Sequence, residues 1–211
     1  LAGFPKDAYY MYQSEWTDKQ VLHIFPHWNW NPGQTVDIWA YTSCDEVELL
    51  LNDRSLGVKN KTENDFHLAW KVPFEAGTIT AVGREKGREV MRSEIKTAGE
   101  PAGIILSPDR SVIKAGGSDL SFITVTVVDK ENNPVPYAEN MIEFAIDGNA
   151  TIAGVDNGSQ VSMESFRADH RKAFHGKCLV VIRSGADNGE VRVTASSEGL
   201  ESSVVTLKIR D

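Results

Sequence analysis

Thr35-Val36-Asp37-Ile38-Trp39-Ala40-Tyr41 decides how this chain folds. Val36, Ile38 and Ala40 recur at every second position, the spacing that puts side chains on one face of an extended strand. The pattern spreads outward from there. Val47, Leu49 and Leu51 alternate with Glu46, Glu48 and Leu50, and Phe66, Leu68, Trp70 and Val72 alternate with His67, Ala69 and Lys71. Ile79, Ala81 and Gly83 continue the series, 88–96 reads as a further strand, and 21–25 reads as an opening one. Alternation buries one face and wets the other, as antiparallel sheets require. For roughly seven short strands in about 75 residues, a two-sheet sandwich is the simplest way to hide the apolar faces.

Two other segments frame this sandwich. Ala8-Tyr9-Tyr10-Met11-Tyr12-Gln13-Ser14-Glu15-Trp16 has helical spacing, with Tyr9, Tyr12 and Trp16 on one face, and Pro5 suits a helix start. A short helix cannot bury four aromatic rings alone, so it reads as a helix cut from a preceding domain. Downstream, Gly99-Glu100-Pro101-Ala102-Gly103 interrupts the strand pattern and marks a domain boundary. Beyond it, strands are expected at 103–107, 119–129, 141–147, 151–155, 160–165, 177–184, 190–196 and 202–209. Ser121 to Val128 is β-branched on both faces, which suits a central strand. Asp129 to Pro134 reads as a polar turn, and Asn188-Gly189 supplies the pair that type I′ hairpin turns favour. The fold class is all-β: two consecutive immunoglobulin-like β-sandwich domains, 19–98 and 99–211, preceded by a helical segment, 1–18.

Composition narrows the function. The 211 residues carry 22 Lys plus Arg against 30 Asp plus Glu, a net charge of −8. No basic field offsets phosphate repulsion, so neither nucleic acid nor an anionic membrane is an expected partner. No run of about 18 apolar residues exists to cross a bilayer. The opening Leu1 to Asp7 lacks the basic-then-apolar order of a signal peptide. Cys44 and Cys178, in different domains, are both expected to be free.

The densest polar and aromatic cluster is His23-Ile24-Phe25-Pro26-His27-Trp28-Asn29-Trp30-Asn31-Pro32. His23 and His27 are four apart, but Pro26 forbids the helix that would aim both at a metal, and no Cys or acid nearby completes a ligand set. The main reading is a packed connector whose indoles seal a neighbouring domain. The alternative is a sugar-facing site, since indoles stack on pyranose faces and Asn29 offers amide hydrogen bonds. Glu46 and Glu48 share a strand face opposite a buried one, so they are expected at a solvated edge rather than paired across a sugar. Asp129 to Glu131 and Asp156 to Ser159 lack the spacing of an EF-hand and read as turns. Ser165, Asp169 and His170 lack the strand-to-helix elbow of a hydrolase nucleophile, and the basic residues of 167–172 read as loop cover.

Gly3 to Asp7, Tyr9 to Trp16 and His23 to Trp30 together resemble the end of the catalytic barrel in glycoside hydrolase family 2, most of all β-galactosidases of the Bacteroides type. Tyr41 to Gly57 is similar to the strand–turn–strand of the sandwich that follows the barrel. Asp53 stands where these proteins usually carry Gly, so any departure in geometry is expected at that turn. Ala153 to Ser159, Phe166 and Arg171 to Lys177 resemble the last immunoglobulin-like domain of such enzymes. The resemblance covers essentially the whole chain.

The resemblance implies that the leading helix is left over from a (β/α)8 barrel. It implies a parent that removes a terminal sugar with retention, using two glutamates on that barrel, upstream of Leu1. No catalytic residue, cofactor or metal is therefore expected here. The expected partner is the enzyme's own upstream barrel, which these domains would brace. Carbohydrate and a second copy of the chain are further candidates. His27, Trp28, Asn29 and Trp30 are the candidate contacts to sugar or barrel. The parent is expected in the periplasm or outside the cell. The rival readings are a carbohydrate-binding module and adhesin-like spacer domains.

Overall fold

The computed structural model describes residues 3–211; Leu1 and Ala2, which open the segment assigned to the helix, lie outside the described residues. Two compact units form, one of Pro5–Thr97 and one built on Ala98–Asp211.

The first unit opens with helix α1 (Asp7–Trp16). Asp7 sits in its first turn, where a carboxylate favours the positive helix end, and the Thr17 hydroxyl donates to the Gln13 carbonyl at its close (2.7 Å). Seven strands follow: β1 (Leu22–Phe25), β2 (Thr35–Thr42), β3 (Glu46–Leu51), β4 (Arg54–Asn60), β5 (Leu68–Pro73), β6 (Thr78–Glu85) and β7 (Arg88–Lys96). They form a three-stranded sheet, β1-β2-β5, and a four-stranded sheet, β4-β3-β6-β7. All pairings in the unit are antiparallel. The period-2 residues do what their spacing requires. Val36, Ile38, Ala40, Val47, Leu49, Leu51, Leu68, Trp70, Val72, Ile79 and Ala81 share one core. Gly83 continues the β6 series without a side chain because a Cβ there would meet the Cys44 sulfur at 2.6 Å.

Strand β4 offers only Leu56 and Val58 at alternate positions, too short a series to stand out in the sequence pattern; six of its seven residues are exposed. It pairs with β3 through a two-residue turn in which Leu51 faces Arg54. Asn52 and Asp53 both take positive φ, 49° and 62°. Those are the angles of a type I′ turn, so Asp53 keeps the geometry that glycine would adopt more cheaply.

The second unit is a sandwich of four- and five-stranded sheets. Its strands are β8 (Gly103–Pro108), β9 (Val112–Lys114), β10 (Leu120–Val128), β11 (Met141–Asp147), β12 (Ala150–Asp156), β13 (His170–Lys172), β14 (Lys177–Ser184), β15 (Gly189–Ser196) and β16 (Ser203–Arg210). The sheet orders are β12-β14-β10-β8 and β13-β11-β15-β16-β9. β10 lies inside its sheet, between β14 and β8, as its β-branched composition suggests. Ile123, Val125, Val127, Ile142, Val180, Ile182, Val191, Val193, Leu207 and Ile209 form the core.

Three details correct the sequence reading. Residues 160–165 form no strand: Val161 and Met163 have the alternation but no neighbouring strand to pair with, and the segment is part of a loop. Asn188-Gly189 is no hairpin turn, because β14 and β15 belong to different sheets and the chain crosses between them. β9 and β13 are three residues each, too short to show a period. The 129–134 turn forms as read. The Asp129 carboxylate accepts from the backbone N–H groups of Glu131, Asn133 and Gly99, at 2.9, 2.8 and 2.8 Å.

Candidate functional site

In the first unit, the core-averted face of sheet β1-β2-β5 is aromatic. His23 faces Tyr41 across the β1–β2 pair, and Phe25 faces Trp39. The rings continue beyond the sheet. Tyr10 of α1 stacks on His23 at 3.9 Å and 16°, and His67 stacks on Trp39 at 4.1 Å and 19°. Phe25 lies between, 5.5 Å from His23, 4.8 Å from Tyr41 and 5.9 Å from Trp39.

Polar bonds fasten α1 over this face. His23 Nε2 lies 2.7 Å from Asp7 Oδ1. Lys61 Nζ reaches both Glu15 Oε1 (2.5 Å) and the Thr42 carbonyl (2.7 Å). Ser14 is the buried residue of the helix. Burial, with the Asp7 carboxylate nearby, pushes the Tyr41 phenol above its ordinary range.

The opposite face of α1 remains uncovered. Tyr9, Tyr12 and Trp16 are 50%, 49% and 70% exposed, and Tyr12 stacks on Trp16 at 4.8 Å. The helix is thus pinned on one side and leaves an exposed aromatic patch on the other.

The candidate contact residues separate. Trp28 is fully buried, donates its indole N–H to the Glu75 carbonyl (2.9 Å) and packs on Phe74. It is a core residue, so the expectation that it faces sugar or a neighbouring domain is corrected; its hydrophobic bulk outweighs the polar neighbours that suggested a surface. His27 is exposed, while Asn29 and Trp30 are half-buried. Trp30 stacks on His27 at 4.6 Å and donates to its carbonyl (2.7 Å), and the Asn29 backbone N–H donates to His27 Nδ1 (3.2 Å).

No catalytic constellation emerges from the other candidates. Glu46 and Glu48 both pair with Arg84, at 3.6 and 2.6 Å, and hydrogen bonds from Arg84 and Ser55 hold the Glu48 carboxyl below the usual carboxylate range. Asp169 pairs with His170 (2.8 Å), but the Ser165 hydroxyl turns to the Arg167 carbonyl (3.4 Å). Among the described residues, no group of three or more His, Cys, Asp or Glu side chains could hold a metal ion. Also among them, no helix is long and apolar enough to cross a membrane. Cys44 and Cys178 are free and buried.

One arrangement escaped sequence reading. Arg171, grouped there with the basic loop cover, is fully buried. It donates to Asn157 Oδ1 (3.1 Å) and the Glu164 carbonyl (3.2 Å), and its guanidinium lies over the Phe166 ring at 5.3 Å. The alternation of β13, exposed–buried–exposed, turns it inward. A three-residue strand is too short to show a period, so the sequence carried no signal for it.

Residues 104–206 match the family model described as glycoside hydrolase family 2 C-terminal domain 5, and residues 33–91 match a domain of unknown function, DUF4982. Over its whole length the chain is 55% identical to β-galactosidase BoGH2A of Bacteroides ovatus, of which it covers 25%. The chain belongs to glycoside hydrolase family 2. It corresponds to the C-terminal region of the family's β-galactosidase- and β-glucuronidase-like enzymes. A putative β-glucuronidase of Formosa agariphila is 34% identical over 93% of the chain, which covers 20% of it. Among solved structures, a β-glycosidase from Bacteroides vulgatus superposes with a TM-score of 0.94 at 36% identity, over 98% of this chain and 27% of that one. A family 2 member from Bacteroides cellulosilyticus gives 0.90 at 34%, over all of this chain and 31% of that one. The chain thus spans about a quarter of the length of these relatives.

Proposed function

We propose that this region braces the catalytic barrel of a retaining exo-glycosidase and that the exposed face of α1 is the seam between them. The observation that carries the reading is the contrast between the two sides of α1. Asp7, Tyr10, Ser14 and Glu15 are engaged by the first unit, while Tyr9, Tyr12 and Trp16 face water. Fully burying one large apolar side chain contributes about 1.5–3 kcal/mol, and covering these three rings, each about half exposed or more, would supply a part of that for each.

The parent activity that best fits is β-galactosidase, the name carried by the 55%-identical Bacteroides ovatus relative. The more distant β-glucuronidases make glucuronide the rival sugar. His27, Asn29 and Trp30 form a secondary contact beside the seam. The parent works in the periplasm or outside the cell. The 211-residue chain alone hydrolyses neither sugar, because the two glutamates of a retaining enzyme belong to the barrel.

The test is the double substitution Tyr12→Ser and Trp16→Ser in the full-length enzyme. Both rings are exposed in this chain, so its own fold should not change. The enzyme is expected to lose its aryl β-galactosidase activity at a temperature several degrees lower than the parent. An unchanged inactivation temperature contradicts the seam. Turnover of aryl glucuronide in preference to galactoside contradicts the sugar assignment alone.

A further inference from the structure

In the second unit, the loop between Asp156 and His170 presents the two most exposed large apolar side chains described, Met163 at 97% and Val161 at 85%, together with Phe166 at 60%. Its length falls where about 12–15 residues without secondary structure are already uncommon and usually functional. The loop is nevertheless held. Arg171 grips Asn157 at one end and the Glu164 carbonyl further along. The Asn157 amide donates to the Lys172 carbonyl (2.8 Å), and Glu164 Oε1 accepts from the Lys172 backbone N–H (3.0 Å). A buried arginine is costly unless its geometry is good. Here it fixes a loop whose apolar side chains point away from the core it rests on.

We propose that this loop is a preorganised docking finger whose apolar tip, Val161, Met163 and Phe166, seats against the catalytic domain of the same enzyme. The inference rests on the reading of this chain as part of a longer glycosidase, but it concerns a different surface from α1. Three features select the occupant. Val161 and Met163 have no flat ring to stack on a pyranose, and Arg171 already lies against Phe166, so the tip suits protein better than sugar. A stable dimer buries about 1,200–2,000 Å², far beyond what three side chains of one loop supply. A tethered domain needs no such area, because the linkage raises its effective concentration to about the millimolar range. The relatives provide that domain, since three quarters of the Bacteroides ovatus enzyme lies outside the match. Prior fixing by Arg171 lowers the ordering cost of docking.

Hydroxyl-radical footprinting of the full-length enzyme tests this, with urea-unfolded enzyme as reference. Met163 should be protected about tenfold or more in the native enzyme, since its oxidation follows its exposure. Protection should persist on dilution to the monomer. Oxidation of Met163 at near the unfolded rate overturns the proposal, and so does protection that disappears on dilution, which would identify a second copy as the occupant. Trp16 in the same digest separates the two readings. A protected Trp16 beside an exposed Met163 leaves the α1 seam standing and removes the finger. An exposed Trp16 beside a protected Met163 does the reverse.

Discussion

Lys61 and Glu15 form an ion pair at 2.5 Å with side chains only 16% and 19% exposed, and it joins the β-sandwich to the last turn of α1. Its partial burial sets it apart from surface pairs, which contribute little. Lys61→Met leaves the Glu15 carboxylate half-desolvated without its cation. The helix is expected to loosen by about 1–2 kcal/mol, between the surface and fully buried cases. Amide exchange across 7–16 should quicken by about tenfold, the equivalent of 1.4 kcal/mol. Unchanged exchange there would show that the Tyr10 stacking and the Asp7–His23 bond hold the helix without the ion pair.

Asp53 is a stability reserve. Its φ of 62° is one glycine adopts without strain. Asp53→Gly should stabilise the first unit by about 0.5 kcal/mol, the relief of strain being partly offset by the greater freedom of unfolded glycine. Urea unfolding followed by tryptophan fluorescence reads this unit alone, because all five tryptophans lie between residues 16 and 70. A loss of stability would contradict the turn assignment.

Arg171 is the opposite case. Arg171→Met strands Asn157, Glu164 and the nearby Asp156 carboxylate, and should destabilise the second unit by about 3–5 kcal/mol. Arg171→Lys should recover little, since an ammonium cannot reproduce the planar fork. Because this unit has no tryptophan, far-ultraviolet circular dichroism is the probe. A near-neutral Arg171→Lys would show that charge alone suffices.

Acid should act on the first unit through Glu48. Its folded carboxyl is held below its ordinary value by hydrogen bonds from Arg84 and Ser55. A depressed folded value means the contribution is complete above about pH 4.3, the unfolded value, and is lost as pH falls through the lower folded one. Glu48→Gln should therefore flatten stability against pH in the acid range. An identical acid profile for the variant would remove Glu48 as a cause.

Neither thiol should react in the native chain. Burial pushes Cys178 up to about 12 and raises Cys44 as well. The thiolate is the nucleophile, so thiol reagents at pH 8 should modify both only after unfolding. Rapid labelling of Cys178 in the native state would contradict its placement in the core.

The fold was legible in the sequence wherever burial imposes a period. Val47, Leu49 and Leu51 mark their strand without help. β4 was not legible, because an exposed edge strand has no face to hide and is specified by its turn and by β3. The helix face was readable from Tyr9, Tyr12 and Trp16 because an unburied aromatic stripe needs a partner. Trp28 misled because its flanking His and Asn suggested a surface, whereas a ring of that size goes inside when a carbonyl is at hand for its N–H. Arg171 was hidden by its neighbours: His170 and Lys172 on either side are exposed, and only the strand pairing of β13 shows which way the middle residue turns.

The most direct measurement is the solvent exposure of Trp16 in a structure of the full-length enzyme. A ring that is 70% exposed in this chain should fall below about a tenth there, buried together with Tyr9 and Tyr12 against the catalytic barrel. A full-length structure in which Trp16 stays open to water, with the barrel resting elsewhere, contradicts it.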